Sequence, residues 1–267
     1  MSTRPIALIT GATSGIGQAF AESFAQQGYD LILTGRRQEL LAKNAQFFEA
    51  HYHIFCECLY LELSSADAIE ALVQKIQGHT IEVLVNNAGF GLKGIFPEQP
   101  PAEILQMLNL HILCTTRLTQ AVLPQMLSRN SGTIINVASD AAYVIVPGNA
   151  FYSATKAFIK QFTEGLYLDL RGIGSAVRVQ ALCPSLTKTD FQLKMGMSKA
   201  KQVNHGIMHW EEPQQVVSRS FKSLQNNQPV CICGGLMGKV ENWLTRLLPK
   251  KLYYPFILSC FPLQSPR

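Results

Sequence analysis

The sequence predicts an α/β protein, a single domain built on one doubly wound parallel sheet of about seven strands flanked by helices. Three observations predict it. Short apolar runs alternate with helix-like patterns through residues 1–180, the rhythm of strand–helix–strand units laid side by side. The first apolar run passes straight into Thr10-Gly11-Ala12-Thr13-Ser14-Gly15-Ile16-Gly17, a glycine-rich turn that opens a helix. With 267 residues, 47% of them hydrophobic, the chain can also bury one large core.

Strands are predicted at residues 6–10, 30–34, 55–62, 83–86, 133–138, 177–183 and 229–233, each a short apolar run. Helices are predicted between them at residues 17–27, 38–50, 66–77, 102–128 and 150–171. In the last of these, Ala154, Ala157, Phe158, Phe162, Leu166 and Leu170 form one stripe at helical spacing. Two segments break the rhythm. Residues 190–210 scatter Phe191, Met195, Met197, Ile207, Met208 and Trp210 among lysines, with no clear strand. Residues 236–261 hold Trp243, Leu247, Leu248, Tyr253, Tyr254, Phe256, Ile257 and Leu258.

Charge and cysteine usage narrow the class. Of the net charge of +5, residues 239–267 carry +4: Lys239, Arg246, Lys250, Lys251 and Arg267 face Glu241 alone. The excess belongs to the tail, so no nucleic-acid groove is expected across the domain. The seven cysteines are odd in number and include no Cys-x-x-Cys pair. Cys56/Cys58 and Cys231/Cys233 have strand spacing, which predicts core packing, no metal site and a reducing, cytoplasmic setting. Arg4-Pro5 leads directly into the first strand, and no export signal is expected.

Gly11, Gly15 and Gly17 follow a strand and open a helix. Lacking Cβ atoms, such a turn adopts backbone angles closed to other residues and lets a pyrophosphate approach closely. The helix N-terminus adds unpaired N–H groups and a partial positive charge of ~+0.5. Further along stand Asn86-Asn87-Ala88-Gly89, then Ser139, and thirteen residues later Tyr152-Ser153-Ala154-Thr155-Lys156. In this order and at these offsets the motifs resemble the classical short-chain dehydrogenase/reductase family, over roughly residues 5–235. The resemblance implies a Rossmann-like catalytic domain over residues 1–235, with a substrate lid at about 190–210 and a basic, apolar C-terminal extension over 236–267.

The resemblance implies a dinucleotide held by Gly11, Thr13, Ser14, Gly15, Ile16 and Gly17, then by Asn87, Ala88 and Gly89. Asn87 resembles the residue that ties neighbouring strands beside the adenosine half. Glu62-Leu63 stands where many members carry Asp-Val or Asp-Leu against the adenine, and Pro184-Ser185-Leu186-Thr187 resembles their Pro-Gly-x-Thr segment at the nicotinamide end. Pro184 and Thr187 are thereby cofactor candidates, with Ser185 a departure from the pattern. After the second strand, NAD-preferring folds place a carboxylate for the ribose diol, whereas arginine accommodates a 2′-phosphate. Here the chain reads Leu33-Thr34-Gly35-Arg36-Arg37. Gly35 takes the place of the acid, and Arg36 and Arg37 match phosphate geometry, so NADP(H) is expected.

Hydride transfer belongs to the cofactor, while the protein handles one proton. A tyrosine titrates near ~10 in water, too high for acid–base work at neutral pH. Lys156 lies one turn from Tyr152, and an ammonium there favours the phenolate and lowers that value. The resemblance makes Tyr152 the proton donor and has Lys156 bind the nicotinamide ribose. Ser139 closes a strand at the carboxyl edge and can donate to a substrate carbonyl. Asn109 matches the family's fourth catalytic position; His111, two residues on, is unmatched and is read as a satisfied or exposed histidine.

For substrate, the family layout points to Ser139, Tyr143 and Tyr152, with Phe90, Gly91, Leu92, Ala141 and Val146 as further walls. The methionine- and aromatic-rich lid fits a lipophilic carbonyl compound. The expected activity is NADPH-dependent hydride transfer to a lipophilic ketone or aldehyde, or the reverse on the alcohol. A 3-oxoacyl or polyketide-type ketoreductase and a non-catalytic NADP-sensing module are the alternatives. The apolar run at residues 252–261 is too short for a span needing ~20 residues. Peripheral membrane contact, cover for the cleft and packing on a second subunit all stay open for it. A homodimer or homotetramer is expected, because the helices at residues 102–128 and 150–171 resemble those that pair across family dimers.

Overall fold

The computed structural model describes residues 4–92, 94–195, 198, 202–204, 210–235, 245 and 247–261. Seven strands form one sheet in the order β3-β2-β1-β4-β5-β6-β7: β1 Ile6–Ile9, β2 Asp30–Thr34, β3 Cys56–Leu59, β4 Ile81–Asn86, β5 Thr133–Val137, β6 Arg178–Cys183 and β7 Val230–Ile232. All six pairings are parallel. A sheet covered by helices on both faces buries both sides of each strand, which is why the strands read as continuous apolar runs. β2 and β5 are buried throughout.

Helices α1 Gly15–Gln26 and α2 Gln38–Tyr52 cover one face, with α8 Pro213–Gln225. α3 Ala66–Ile76, α5 Cys114–Arg129 and α6 Ala150–Gly172 cover the other. The strand order reverses at β1, which pairs with β2 on one side and β4 on the other. Beyond the carboxyl ends of the strands at such a switch point the connections diverge, and a crevice opens.

Four departures from the sequence reading are instructive. β3 ends at Leu59 rather than continuing to residue 62, because its one ladder partner, β2, ends at Thr34. β4 begins at Ile81, which pairs with Ile6 ahead of a register shift. The helix expected at residues 102–128 is α4 Pro101–Leu108, then a π-helical segment Asn109–Leu113, then α5. Helix α8 was not predicted. Pro213 at its first turn and a reciprocal Glu212–Gln215 capping box start it. Its apolar stripe then packs on α1, with the Phe221 ring 5.9 Å from Phe20 and 5.3 Å from Phe24.

The lid contributes a short helix, α7 Asp190–Lys194, and Trp210, which is buried. Met197, Ile207 and Met208 lie outside the described residues, as does Trp243 of the tail. The tail contributes α9 Lys250–Cys260, which buries Tyr253 and Ile257.

Candidate active site

A cleft of about 700 Å³ runs along the carboxyl edge of the sheet at the switch point. Its phosphate end is built from β1 and the turn into α1. Gly11 and Gly15 hold φ values of +67° and +58°, open to glycine and strained for other residues. A Cβ on Gly11 would stand 2.9 Å from the Ala88 Cα, and one on Gly17 would collide with the Gly11 carbonyl and the Asn87 amide. Gly17 therefore does not border the cleft; it lets α1 close against β4. Thr10 Oγ1 accepts from the N–H groups of Asn87 and Ala88 at 2.9 and 3.0 Å, and Asn87 Nδ2 donates to the carbonyls of Thr10 and Gly11 at 2.9 and 3.1 Å. Asn87 thus ties β4 to β1. Ser14, the N-cap of α1, makes no side-chain cap bond, so the first N–H groups of the helix face the cleft without one.

The adenosine end lies beyond β2. A Cβ on Gly35 would run into the Thr13 methyl, so the residue that could carry an acid for a ribose diol has no room for one. Two guanidinium groups stand beside it. Arg36 pairs with Glu62 at 3.1 Å, both about half exposed. Partial burial pushes the Glu62 carboxyl up, but hydrogen bonds from Ser64 and Arg36 outweigh it and hold the group below the usual range. Arg37 folds over the glycine turn: it donates to Thr13 Oγ1 at 2.9 Å and to Ser14 Oγ, and pairs with Asp190 of α7 at 2.7 Å. The α1 N-terminus and the two guanidinium groups are donors that could hold the phosphates of a nicotinamide dinucleotide.

At the nicotinamide end, Ser139, Tyr152 and Lys156 line the cleft together with Pro184 and Thr187. Tyr152 neighbours Ser139, whose hydroxyl donates to Asp140 Oδ1 at 2.9 Å. Lys156 Nζ donates to the Val137 carbonyl at 2.9 Å and stands 5.8 Å from the Tyr152 ring centre. Burial raises the Tyr152 phenol, the neighbouring Ser139 hydroxyl offsets part of that, and the Asp140 carboxylate adds to it. Burial also lowers Lys156 to about 8. Desolvation is the largest influence on both groups.

Asn109 does not join this cluster. Its amide donates to the Ser64 carbonyl at 2.9 Å, and it does not border the cleft. Two residues on a helix point ~200° apart, so of Asn109 and His111 only one can face α6. It is His111. Fully buried, it accepts the Phe90 N–H at Nε2 (3.2 Å) and therefore carries its proton on Nδ1, 2.9 Å from Thr155 Oγ1. Thr155 in turn donates to the Tyr152 carbonyl at 2.8 Å. Burial, with the nearby Lys156 charge, holds His111 well below its ordinary pKa, so it is neutral. A Cβ on Gly89 would stand 2.9 Å from His111 Nε2 and 3.6 Å from Lys156 Nζ, which leaves that position to glycine. The absence of a side chain at Gly89 is the one sequence signal that pointed here.

Tyr143 is likewise displaced from its expected place: it packs with Ala138, Ile159, Cys183 and Val230, away from the cleft lining. The short turn Asp140–Ala142 folds the chain back before it. Val146 is also absent from the lining, whereas Phe90 and Gly91 belong to it. Phe191 of the lid closes over Tyr152 with ring centres 5.8 Å apart. Among the described residues no group of three or more His, Cys, Asp or Glu side chains could hold a metal ion.

Fold and cleft together define an oxidoreductase that binds a nicotinamide cofactor. Residues 5–200 match the short chain dehydrogenase family profile. The chain is 30% identical over 262 residues to very-long-chain 3-oxoacyl-CoA reductase-B of Danio rerio, covering 95% of this chain and 79% of the relative. It is 36% identical over 197 residues to sulfoacetaldehyde reductase 2 of Chromohalobacter salexigens, covering 70% and 75%. Among solved structures, a short-chain dehydrogenase from Sphingobium yanoikuyae in complex with NADPH superposes with a TM-score of 0.79 at 28% identity, over 92% of this chain and 97% of that one. The bulky-bulky ketone specific alcohol dehydrogenase from Comamonas testosteroni gives 0.76 at 25% identity, over 93% and 96%. A family member from Burkholderia phymatum in complex with NAD shares the fold, with 0.77 at 22% identity over 99% and 98%. The chain belongs to the short-chain dehydrogenase/reductase family, whose members act on alcohols and ketones.

Proposed function

We propose that this enzyme is an NADPH-dependent reductase of lipophilic ketones or aldehydes, with Tyr152 as the proton donor. The observation that carries the reading is that Ser139, Tyr152 and Lys156 come together at one end of a cleft walled by Phe90 and Phe191. Bound NADPH supplies the hydride. Ser139, once its hydroxyl turns from Asp140, and Tyr152 present hydroxyls to one carbonyl oxygen, which orients it and stabilises the negative charge that grows there. Tyr152 then gives its proton to that oxygen. Lys156, with its ammonium buried beneath the phenol, stabilises the tyrosinate left behind. Phe191, packed over the Tyr152 ring, limits the access of water to the phenol.

For the cofactor, Arg36 and Arg37 beside an acid-free Gly35 support NADPH over NADH. The NADPH complex of the Sphingobium relative agrees with this reading, while the NAD complex in the same fold keeps the choice one for experiment. A 3-oxoacyl thioester is the second reading for substrate, favoured by the match of a 3-oxoacyl-CoA reductase along 95% of the chain. Exposed Leu105, Leu108, Phe158 and Leu168 on α4 and α6 support the proposed pairing of subunits through these helices.

The deciding experiment follows NADPH oxidation by its nicotinamide absorbance across lipophilic ketones, aldehydes and 3-oxoacyl thioesters, with Tyr152→Phe as control. Turnover that vanishes in the variant while NADPH binding persists establishes the reading. Tight NADPH binding without turnover on any class points instead to a sensing module.

A further inference from the structure

Among the described residues, helix α9 meets the domain through one narrow stripe. Tyr253 and Ile257 are its buried residues, and the Tyr253 hydroxyl accepts the Ile145 N–H at 3.2 Å. Around them Leu252, Phe256 and Leu258 are 56–60% exposed, and Leu247, Tyr254 and Phe261 are exposed beside them. A helix that is apolar well beyond its packed stripe belongs in a core or at a membrane. Eleven residues at ~1.5 Å each fall far short of a ~30 Å hydrocarbon layer, so α9 cannot cross a bilayer.

Charge decides between a lipid surface and a second protein surface. Lys250 and Lys251 stand in the first turn of α9, where they add to the positive end of the helix dipole, and no acidic residue is present in that turn. None follows Glu241 anywhere in the sequence. A two-fold contact between copies through α9 would bring these lysines towards their own symmetry mates with no carboxylate in the segment to pair them. Anionic headgroups relieve the same repulsion. A basic helix end beside exposed Leu, Phe and Tyr side chains is the pattern of a helix lying in the headgroup boundary.

We propose that α9 docks the enzyme peripherally on an anionic phospholipid surface, with Leu252, Phe256 and Leu258 entering the boundary and Lys250 and Lys251 meeting the phosphates. The contact between Tyr253 and Ile145 sets this surface beside the segment that runs on from Ser139. The proposal does not depend on the cofactor or substrate reading, since its readout is lipid binding.

The test sediments the full-length protein with vesicles of phosphatidylcholine alone and of phosphatidylcholine mixed with phosphatidylglycerol. Binding to the mixed vesicles only, weakened by salt, is expected. Lys250→Glu with Lys251→Glu should weaken it by about tenfold or more, and Leu252→Ser with Phe256→Ser and Leu258→Ser should abolish it. All five positions are exposed, so both variants keep the fold, as circular dichroism would verify. No binding to mixed vesicles overturns the proposal, as does equal binding to both lipids. A fall in oligomeric mass in the serine variant overturns it too and assigns the face to a second copy.

Discussion

The His111 imidazole and the Thr155 hydroxyl stand 2.9 Å apart and join the π-helical segment to the helix that carries Tyr152 and Lys156. Through its other nitrogen His111 holds the Phe90 N–H, so one neutral ring braces the loop after β4 against α6. His111→Ala leaves the part-buried Phe90 N–H without its acceptor, at ~1–3 kcal/mol, while the Thr155 hydroxyl keeps its bond to the Tyr152 carbonyl. A fall in Tm of several degrees is expected in thermal denaturation. His111→Gln, which retains a donor and an acceptor, should lose less. Equal stability of wild type and His111→Ala would remove the bracing role.

The same residue sets a pH dependence. Its folded pKa is depressed, while the unfolded imidazole titrates near ~6.5. As pH falls below ~6.5 the unfolded chain takes up a proton that the folded chain refuses, so stability present above that value is lost on the acid side, by up to ~1.4 kcal/mol per pH unit. Lys156 is lowered to about 8, so its own loss falls in the alkaline range, above the His111 window. Denaturation curves between neutral and mildly acid pH should be steeper in pH for the wild type than for His111→Gln. Parallel pH profiles would count against a neutral buried imidazole.

Arg36 carries the cofactor preference in this reading. Charge-assisted hydrogen bonds contribute ~1.5–3 kcal/mol, so Arg36→Ala should weaken NADPH binding by roughly tenfold to a hundredfold. NADH affinity should hardly change. Titration of both cofactors against both proteins decides it, and an equal loss for the two would sink the assignment.

Gly35 and Thr13 make a linked prediction. An Asp introduced at Gly35 to favour NAD collides with the Thr13 methyl. Gly35→Asp alone should therefore lower Tm, and adding Thr13→Ser, which removes that methyl and keeps the oxygen bonded by Arg37, should recover it. Thermal denaturation of the single and double variants checks this. No recovery in the double variant would place the strain elsewhere.

The sheet was legible in the sequence because parallel strands buried on both faces appear as unbroken apolar runs, Leu31-Ile32-Leu33 being one. The glycine turn was legible because its backbone geometry restricts which residues fit. Helix α8 was missed for the opposite reason. Gln214, Gln215, Ser218, Ser220 and Ser223 dilute its apolar stripe, and its capping box begins with Glu212 rather than serine or threonine. His111 is satisfied, as the sequence reading has it, but its partners Phe90 and Thr155 come from the loop after β4 and from α6, and the local pattern does not reveal them. The pairing of Arg37 with Asp190 spans 153 positions, and local pattern carries no trace of such a contact.

The π-helical segment also joins α4 to α5. In this wider turn the Cys114 N–H reaches back five residues to the Asn109 carbonyl, accommodating a residue that a regular turn would exclude. Before it, α4 brings Glu103 and Gln106 to the cleft; after it, α5 seats Leu118 and Val122 in the core against the sheet. The wider turn absorbs that residue within itself, so the helix before it and the helix after it keep their separate faces, one on the cleft and one on the core. The segment works as a phase-setting joint.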